Sequence, residues 1–490
     1  MSYFKRAVRG TAWVMLFHVA ASFVSYINRI VLARNMTPSE YGVFYAVFTF
    51  VTFFLFFREL GLLQALSKHI PEFKIKEDYG AVKSAIFSTF AMQFVGSLLL
   101  SIFFFYSADY LAQHYFQAAE AVFYLKFLVI YVLASVVFRT MKAILQGFQS
   151  MFWFAFSEFL KNIVTLALTL LFFYLGFGVL TPLYAFVLVF PVLIVLYIAP
   201  TLRSFNFLNY KMTQFKSVSY RLFVFSTPVF LSSIANRVIG YIDTLILTYY
   251  RTSAEVGVYN VVLPTALILL FIGQGISSIM LPLASELWAK NDKKRLADGM
   301  RLIYRFVFLL AIPVISALFI YARLFIEKFF GAEYVSGAPA LQILLVGVLF
   351  YTVAVIHENL ISGIGKPQII TKIIIAAAIV NFVLNMILIP VWGIYGAAIA
   401  TTISYIMMFV YTTIKTTRFI EMKLPFADWA KLTVPASVFF FIEYAGLFVL
   451  GISIFSTLLL TAVALAAYFY IAHLLHMYSI DEIKQFLSRA

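Results

Sequence analysis

Cysteine is absent from the 490 residues, which excludes disulfides, thiolate metal sites and cysteine nucleophiles. Charge is scarce: 12% of residues are Asp, Glu, Lys or Arg, against about 25% in soluble chains. Acidic residues are the scarcest, 21 against 36 Lys and Arg, for a net charge of +15. No nucleotide loop, metal cluster or nucleophile triad can be read. That argues against an ATP-driven pump and against an enzyme. Gly273-Gln274-Gly275 falls inside an apolar run, so it reads as a packing or flexing feature rather than a phosphate loop.

Apolar residues make up 63% of the chain. A soluble fold needs a polar skin that this composition cannot supply, so lipid must solvate most of the surface. A charge of +15 on a soluble chain would suggest nucleic acid. Here the cations sit in short segments between apolar runs, where they set membrane orientation, and no nucleic-acid partner is expected.

A spanning helix needs about 20 mostly apolar residues. About fourteen such runs occur: 12–33, 41–63, 82–106, 123–145, 152–175, 180–198, 222–249, 256–284, 303–326, 341–361, 369–389, 394–414, 434–450 and 454–475. They are too long and too uniformly apolar for barrel strands. The first follows a basic stretch with no small-residue cleavage site after it, and reads as a retained helix. Lys and Arg gather in alternate connections, such as Lys68, Lys74, Lys76 and Lys83, then Lys290, Lys293, Lys294 and Arg295. This bias predicts a multi-pass protein of the cytoplasmic membrane with both termini cytoplasmic. The longest connections, 201–221 and 290–300, are expected to carry interfacial helix.

The chain repeats itself. Tyr26-Ile27-Asn28 resembles Tyr241-Ile242-Asp243, and Glu40-Tyr41-Gly42-Val43-Phe44 resembles Glu255-Val256-Gly257-Val258-Tyr259. Both pairs share one offset of 215 (26 to 241, 40 to 255). Six helices per repeat is an even number, so the copies run parallel, related by a pseudo-two-fold along the membrane normal. The expected fold is all-α and membrane-integral, with two six-helix lobes at 1–215 and 216–425 and a C-terminal helix pair at 426–490. Such a duplication encloses a cavity between halves, as in a transporter.

Ionisable groups inside spans mark function by default. His18, Ser22, Ser25 and Arg29 form one stripe on the first helix, and the seventh carries Asn236, Arg237 and Asp243. Two guanidinium forks facing one cavity suit a phosphate or diphosphate. The alternatives are that Arg29 snorkels to the interface and that Arg237 pairs with Asp243. Asn28 and Asp243 correspond across the repeat; Asp243 either binds a coupling Na+ or H+ or neutralises an arginine. Arg58 and Glu59, with Arg139, Lys142, Glu158, Lys161, His357 and Glu358, are candidates for a charged mouth, Glu158 and Lys161 being spaced to pair along one helix. The candidate substrate-binding set is therefore Arg29, Arg237, Arg58, Ser22, Ser25 and Asn236. The coupling-ion candidates are Asp243, Asn28 and Glu59. Asn381 and Asn385 read as helix–helix hydrogen bonds, and Glu443 stands unassigned.

The run Arg29-Ile30-Val31-Leu32-Ala33-Arg34-Asn35-Met36-Thr37-Pro38-Ser39-Glu40-Tyr41-Gly42, with Leu60-Gly61-Leu62, resembles the first outer loop of oligosaccharide flippases of the polysaccharide transporter family. That family sits in the multidrug/oligosaccharidyl-lipid/polysaccharide exporter superfamily. The resemblance implies a flippase moving a polyprenyl- or dolichyl-diphosphate oligosaccharide from the inner to the outer leaflet, acting alone near glycosyltransferases. It implies a cationic cavity in which Arg29 and Arg237 contact substrate. The main rival is a cation-coupled multidrug exporter of the MATE type on the same scaffold. A membrane glycosyltransferase would need catalytic carboxylates on a sizeable outer loop, and the stretch from Ser107 to Val122 offers only Asp109 and Glu120.

Overall fold

The run that carries the resemblance is a helix start. Thr37 accepts a hydrogen bond from the Glu40 amide through Oγ1 at 3.3 Å, while the Glu40 carboxylate accepts from the Thr37 amide at 2.8 Å. This capping box, with Pro38 at the first helical position, satisfies amide groups that have no partner within the helix. The repeat reproduces the first of these bonds: the Glu255 amide donates to Thr252 Oγ1 at 3.3 Å.

The computed structural model describes residues 3–450 and 454–477; for 3–12, 228, 229, 231–233, 236, 278, 447–450 and 454 it describes the backbone alone. In chain order the α-helices are α1 (Tyr3–Arg34), α2 (Pro38–Glu59), α3 (Leu62–Ile75), α4 (Tyr79–Leu111), α5 (Ala121–Gly147), α6 (Met151–Tyr174), α7 (Thr181–Ser204), α8 (Phe215–Tyr250) and α9 (Ser253–Leu267). They continue as α10 (Leu270–Ala289), α11 (Lys293–Ile320), α12 (Ala322–Phe329), α13 (Ala338–Gly363), α14 (Pro367–Trp392), α15 (Ile394–Ile420), α16 (Phe426–Leu450) and α17 (Ile454–Leu474).

Twelve helical segments among the described residues are long and apolar enough to cross a membrane. α8 and α16 stand where the seventh and thirteenth runs were expected. The protein is an all-α, multi-pass membrane protein.

Three features depart from the sequence reading. The eighth run is broken at Ile268 and Leu269 into α9 and α10, one turn after Pro264. Proline lacks the amide that would bond the carbonyl four residues back and crowds that carbonyl. The connections 201–221 and 290–300 hold no separate interfacial helix: the first has a short 3-10 turn at Phe207–Asn209, and in the second α11 itself starts at Lys293. The additional short helix is instead α3, entered through left-handed Leu60 and Gly61 (φ 43° and 73°). Gly61 takes that conformation without steric cost.

The chain forms two compact units, Met1–Asn260 and Val261–Ala490. In the first, α1 lies along α6, α5 packs on α4 and α7, and α2 packs on α4, α5 and α8. In the second, α13 packs on α10, α11 and α15, α14 on α15, and α16 on α17.

Within the first unit α2 crosses α9 at two glycines that correspond in the repeat. A Cβ on Gly42 would stand 1.7 Å from the Ser253 carbonyl oxygen, and one on Gly257 would stand 2.0 Å from the Pro38 carbonyl oxygen. Pro38 and Ser253 are also 215 apart, so the contact is reciprocal: each copy presents its glycine to the other's first helical turn.

α3 docks through buried Ala65, Leu66, Ile70 and Phe73. Its Glu72 takes Lys68 at 2.6 Å, Arg221 of α8 at 2.7 Å and His69 at 2.9 Å. The Lys68 hydrogen bond, then His69, hold the Glu72 carboxyl down to about 2 from an ordinary 4.5. Burial pushes His69 down against the pull of Glu72. A depressed carboxyl stabilises above its unfolded pKa and loses that contribution as pH falls through the folded value. Thermal stability in detergent is therefore expected to drop between pH 4.5 and 2, by about 1 kcal/mol for so exposed a cluster. Glu72→Gln should flatten that part of the profile; an unchanged profile contradicts the assignment.

Candidate functional site

A cavity of about 190 Å³ opens inside the first unit. Three helices bring its polar groups together: Ser25, Asn28 and Arg29 from α1, Tyr45 from α2, and Lys161, Asn162 and Thr165 from α6. Phe48 of α2, Tyr131 of α5, and Phe186 and Phe190 of α7 complete it. Its charged lining is Arg29 and Lys161, and no carboxylate among the described residues lines it.

Arg29 is half-buried. Its guanidinium lies 4.7 Å from the centre of the Tyr45 ring and donates to the Asn260 carbonyl at 3.2 Å. Pro264 removes the amide that would have capped that carbonyl within α9, so the break in α9 supplies an acceptor that holds Arg29 in place. The counterparts of Arg29 and Tyr45 in the repeat, Thr244 and Asn260, meet by a hydrogen bond: Asn260 Nδ2 donates to Thr244 Oγ1 at 3.4 Å. Arg29 does not snorkel.

Asn28 is 4% exposed, and its Oδ1 has no hydrogen-bond partner among the described residues. Its counterpart Asp243 is equally buried and accepts from the Tyr259 hydroxyl at 2.6 Å. Tyr259 corresponds to Phe44, which has no hydroxyl, so the repeat satisfies one of the two groups and leaves the other open. Asn162 donates to the Ala21 carbonyl at 2.8 Å. Lys161 shares Glu158 with Lys142, at 2.7 and 2.5 Å, the interfacial pairing that the Glu158–Lys161 spacing implied.

The remaining candidates lie elsewhere. Ser22 donates to His18 of its own helix at 2.9 Å and does not line the cavity. Arg58, 3% exposed, donates to Ser97 at 2.9 Å, to the Val132 carbonyl at 2.5 Å and to Ser135 at 2.8 Å, which ties α2 to α4 and α5. Glu59 pairs with Arg139. Arg237 donates to the Tyr241 hydroxyl at 3.3 Å and faces the Phe56 ring at 5.7 Å, apart from the cavity. The Asn236 side chain lies outside the described residues.

His357 is fully buried between Tyr304 and Thr416, at 2.8 and 2.7 Å, and lines no mouth. Packing of α13 on α11 and α15 leaves it no open face. Asn381 bonds Thr401 across α14 and α15 at 3.3 Å, and Glu443 accepts from Tyr321 at 2.5 Å.

Sequence reasoning missed Asn162, Thr165 and the aromatic wall. Lys161, Asn162 and Thr165 fall at successive and i+4 positions, a polar patch on one helix face that could have been paired with the stripe on α1.

A duplicated helical scaffold with a positively lined internal cavity is the architecture that transporters use. The sequence profile of the family described as "Polysaccharide biosynthesis protein" matches residues 31–339, and the chain belongs to that family. It is 29% identical to an uncharacterized membrane protein of Methanocaldococcus jannaschii over 84% of each chain. It is 24% identical to a probable low-salt glycan biosynthesis flippase of Haloferax volcanii, over 46% of this chain and 49% of that one. Its fold is similar to that of the lipid II flippase MurJ in an inward closed conformation, with TM-score 0.77, 17% identity, and 94% and 98% of the two chains covered. An inward-facing MATE family transporter of the MOP superfamily follows at TM-score 0.67 and 15% identity, over 82% and 94%. The protein is thus a multi-pass membrane protein of the polysaccharide biosynthesis family, with the fold that the MurJ and MATE structures share.

Proposed function

We propose that the protein flips a lipid-diphosphate-linked oligosaccharide from the inner to the outer leaflet by alternating access. The observation that carries this reading is the cavity whose charged lining is Arg29 and Lys161, with no carboxylate among the described lining residues. Lys161 is paired with Glu158 outside that lining, so among the described residues Arg29 is the unpaired positive charge. Such a lining favours an anion over the cationic drugs of a multidrug exporter, since an unpaired positive charge in a low-dielectric site attracts negative groups strongly. Arg29 presents a planar fork to phosphate oxygens, and Lys161 adds a point charge. The polyprenyl or dolichyl tail stays in lipid. The lysine-rich connections face the cytoplasm, placing both termini there. Na+ or H+ is the proposed coupling ion, with Asp243 and Asn28 as its candidate ligands. Glu59, held by Arg139, is the weaker candidate.

Reconstitution separates the two transport readings. Vesicles containing the protein should expose a fluorescent polyprenyl-diphosphate sugar on the opposite leaflet many times faster than empty vesicles. They should leave the gradient of a cationic dye unaltered. Dye export without lipid translocation would transfer the protein to the exporter class.

A further inference from the structure

The cavity has a second wall that phosphate chemistry does not use. Phe48 meets Tyr131 at 5.4 Å and 71°, and Tyr131 meets Phe190 at 5.2 Å and 70°, an edge-to-face series from three helices. The face of an aromatic ring carries negative potential, so a bare diphosphate gains nothing by lying against it. An apolar C–H face does gain.

Asn28 lines the same cavity, nine-tenths buried, with an acceptor oxygen that no described residue fills. A buried acceptor left empty costs about 1–3 kcal/mol. A phosphate diester has no hydrogen to give it, and a prenyl chain has none either. At the equivalent position the protein supplies a hydroxyl from Tyr259 to Asp243; at Asn28 it places Phe44, which leaves the acceptor open to a donor from the ligand. The space is about 190 Å³, below the ~300–1,000 Å³ of pockets for drug-sized molecules, so it admits one ring and not a chain of them.

We infer that this cavity is the subsite for the single sugar joined to the phosphate. The ring's C–H face lies on Phe48 and Tyr131, a ring O–H or N–H donates to Asn28 Oδ1, and the adjoining phosphate meets Arg29. The inference rests on the flippase reading and deepens it: the protein recognises the phosphate-proximal monosaccharide, while the rest of the glycan lies outside the cavity.

The test measures affinity of the full chain in nanodiscs for two probes, polyprenyl diphosphate and polyprenyl-diphosphate N-acetylglucosamine. The wild type should prefer the sugar-bearing lipid by about tenfold, the scale of one buried hydrogen bond with a ring contact. Asn28→Leu and, independently, Phe48→Leu should bring that ratio close to one by weakening the sugar-bearing lipid, whereas Arg29→Ala should weaken both probes. Phe48→Leu keeps the test decisive if Asn28→Leu does not fold. A wild-type ratio of one, or a ratio that survives both substitutions, overturns the subsite. So does loss of Na+ dependence in Asn28→Leu with the sugar preference intact, which makes Asn28 an ion ligand. Failure of the flippase reading looks different: neither probe then outcompetes a zwitterionic phospholipid.

Discussion

Arg29→Ala is expected to slow translocation of a polyprenyl-diphosphate sugar in reconstituted vesicles by about 100-fold. A charge-assisted hydrogen bond is worth ~1.5–3 kcal/mol, and every 1.4 kcal/mol is a factor of ten. The loss is not made up elsewhere in the cavity. Lys161, the other cation on the lining, already shares Glu158 with Lys142, so its charge is partly spent. Arg29→Lys keeps the charge and loses the fork; about a tenfold loss is expected. Thermal melts must accompany both variants, because Arg29 also donates to the Asn260 carbonyl. A variant that melts early and flips normally would make Arg29 a strut. Normal flipping with normal melting would remove it from the site altogether.

Gly42→Ala should destabilise the protein by about 3 kcal/mol, at the upper end of the usual range for overpacking. In an ordinary helix the same change gains up to about 1 kcal/mol. Here the new methyl would overlap the Ser253 carbonyl at 1.7 Å, and the obstacle is backbone that cannot rotate away. Gly257→Ala should behave alike, since it meets the Pro38 carbonyl at 2.0 Å. Gly240→Ala is the control: nothing lies within 4 Å of its Cβ position, so it should be neutral or mildly stabilising. Melting temperatures in detergent decide the matter. Equal effects at Gly42 and Gly240 would mean that α2 and α9 do not touch as described. The double change Gly42→Ala/Gly257→Ala should fall short of additivity, because the two glycines share one contact.

Several results were legible in the residues alone. Apolar runs of spanning length fixed an all-helical membrane protein, because a backbone in lipid must satisfy itself within each helix. The offset of 215 exposed the duplication; the helix start at Thr37, Pro38 and Glu40, ahead of the run read from 41, came from the structure. Ser25 and Arg29 were found by helical periodicity, since residues three and four apart share a face, and Asn28 by its counterpart in the repeat. That rule works within one helix and stops there. It could not say that Arg58 turns into α4 and α5, that His357 is sealed between α11 and α15, or that Glu59 is occupied by Arg139. Nor could it bring Lys161 and Asn162 of α6 to the stripe on α1, more than 130 residues away in the chain (29 to 161). Whether a buried polar group lines a cavity or ties two helices together depends on what faces it, and facing is decided by packing between helices. The sequence determined the solvent and the repeat. The tertiary structure alone decided which charges meet and which acceptor is left for a ligand.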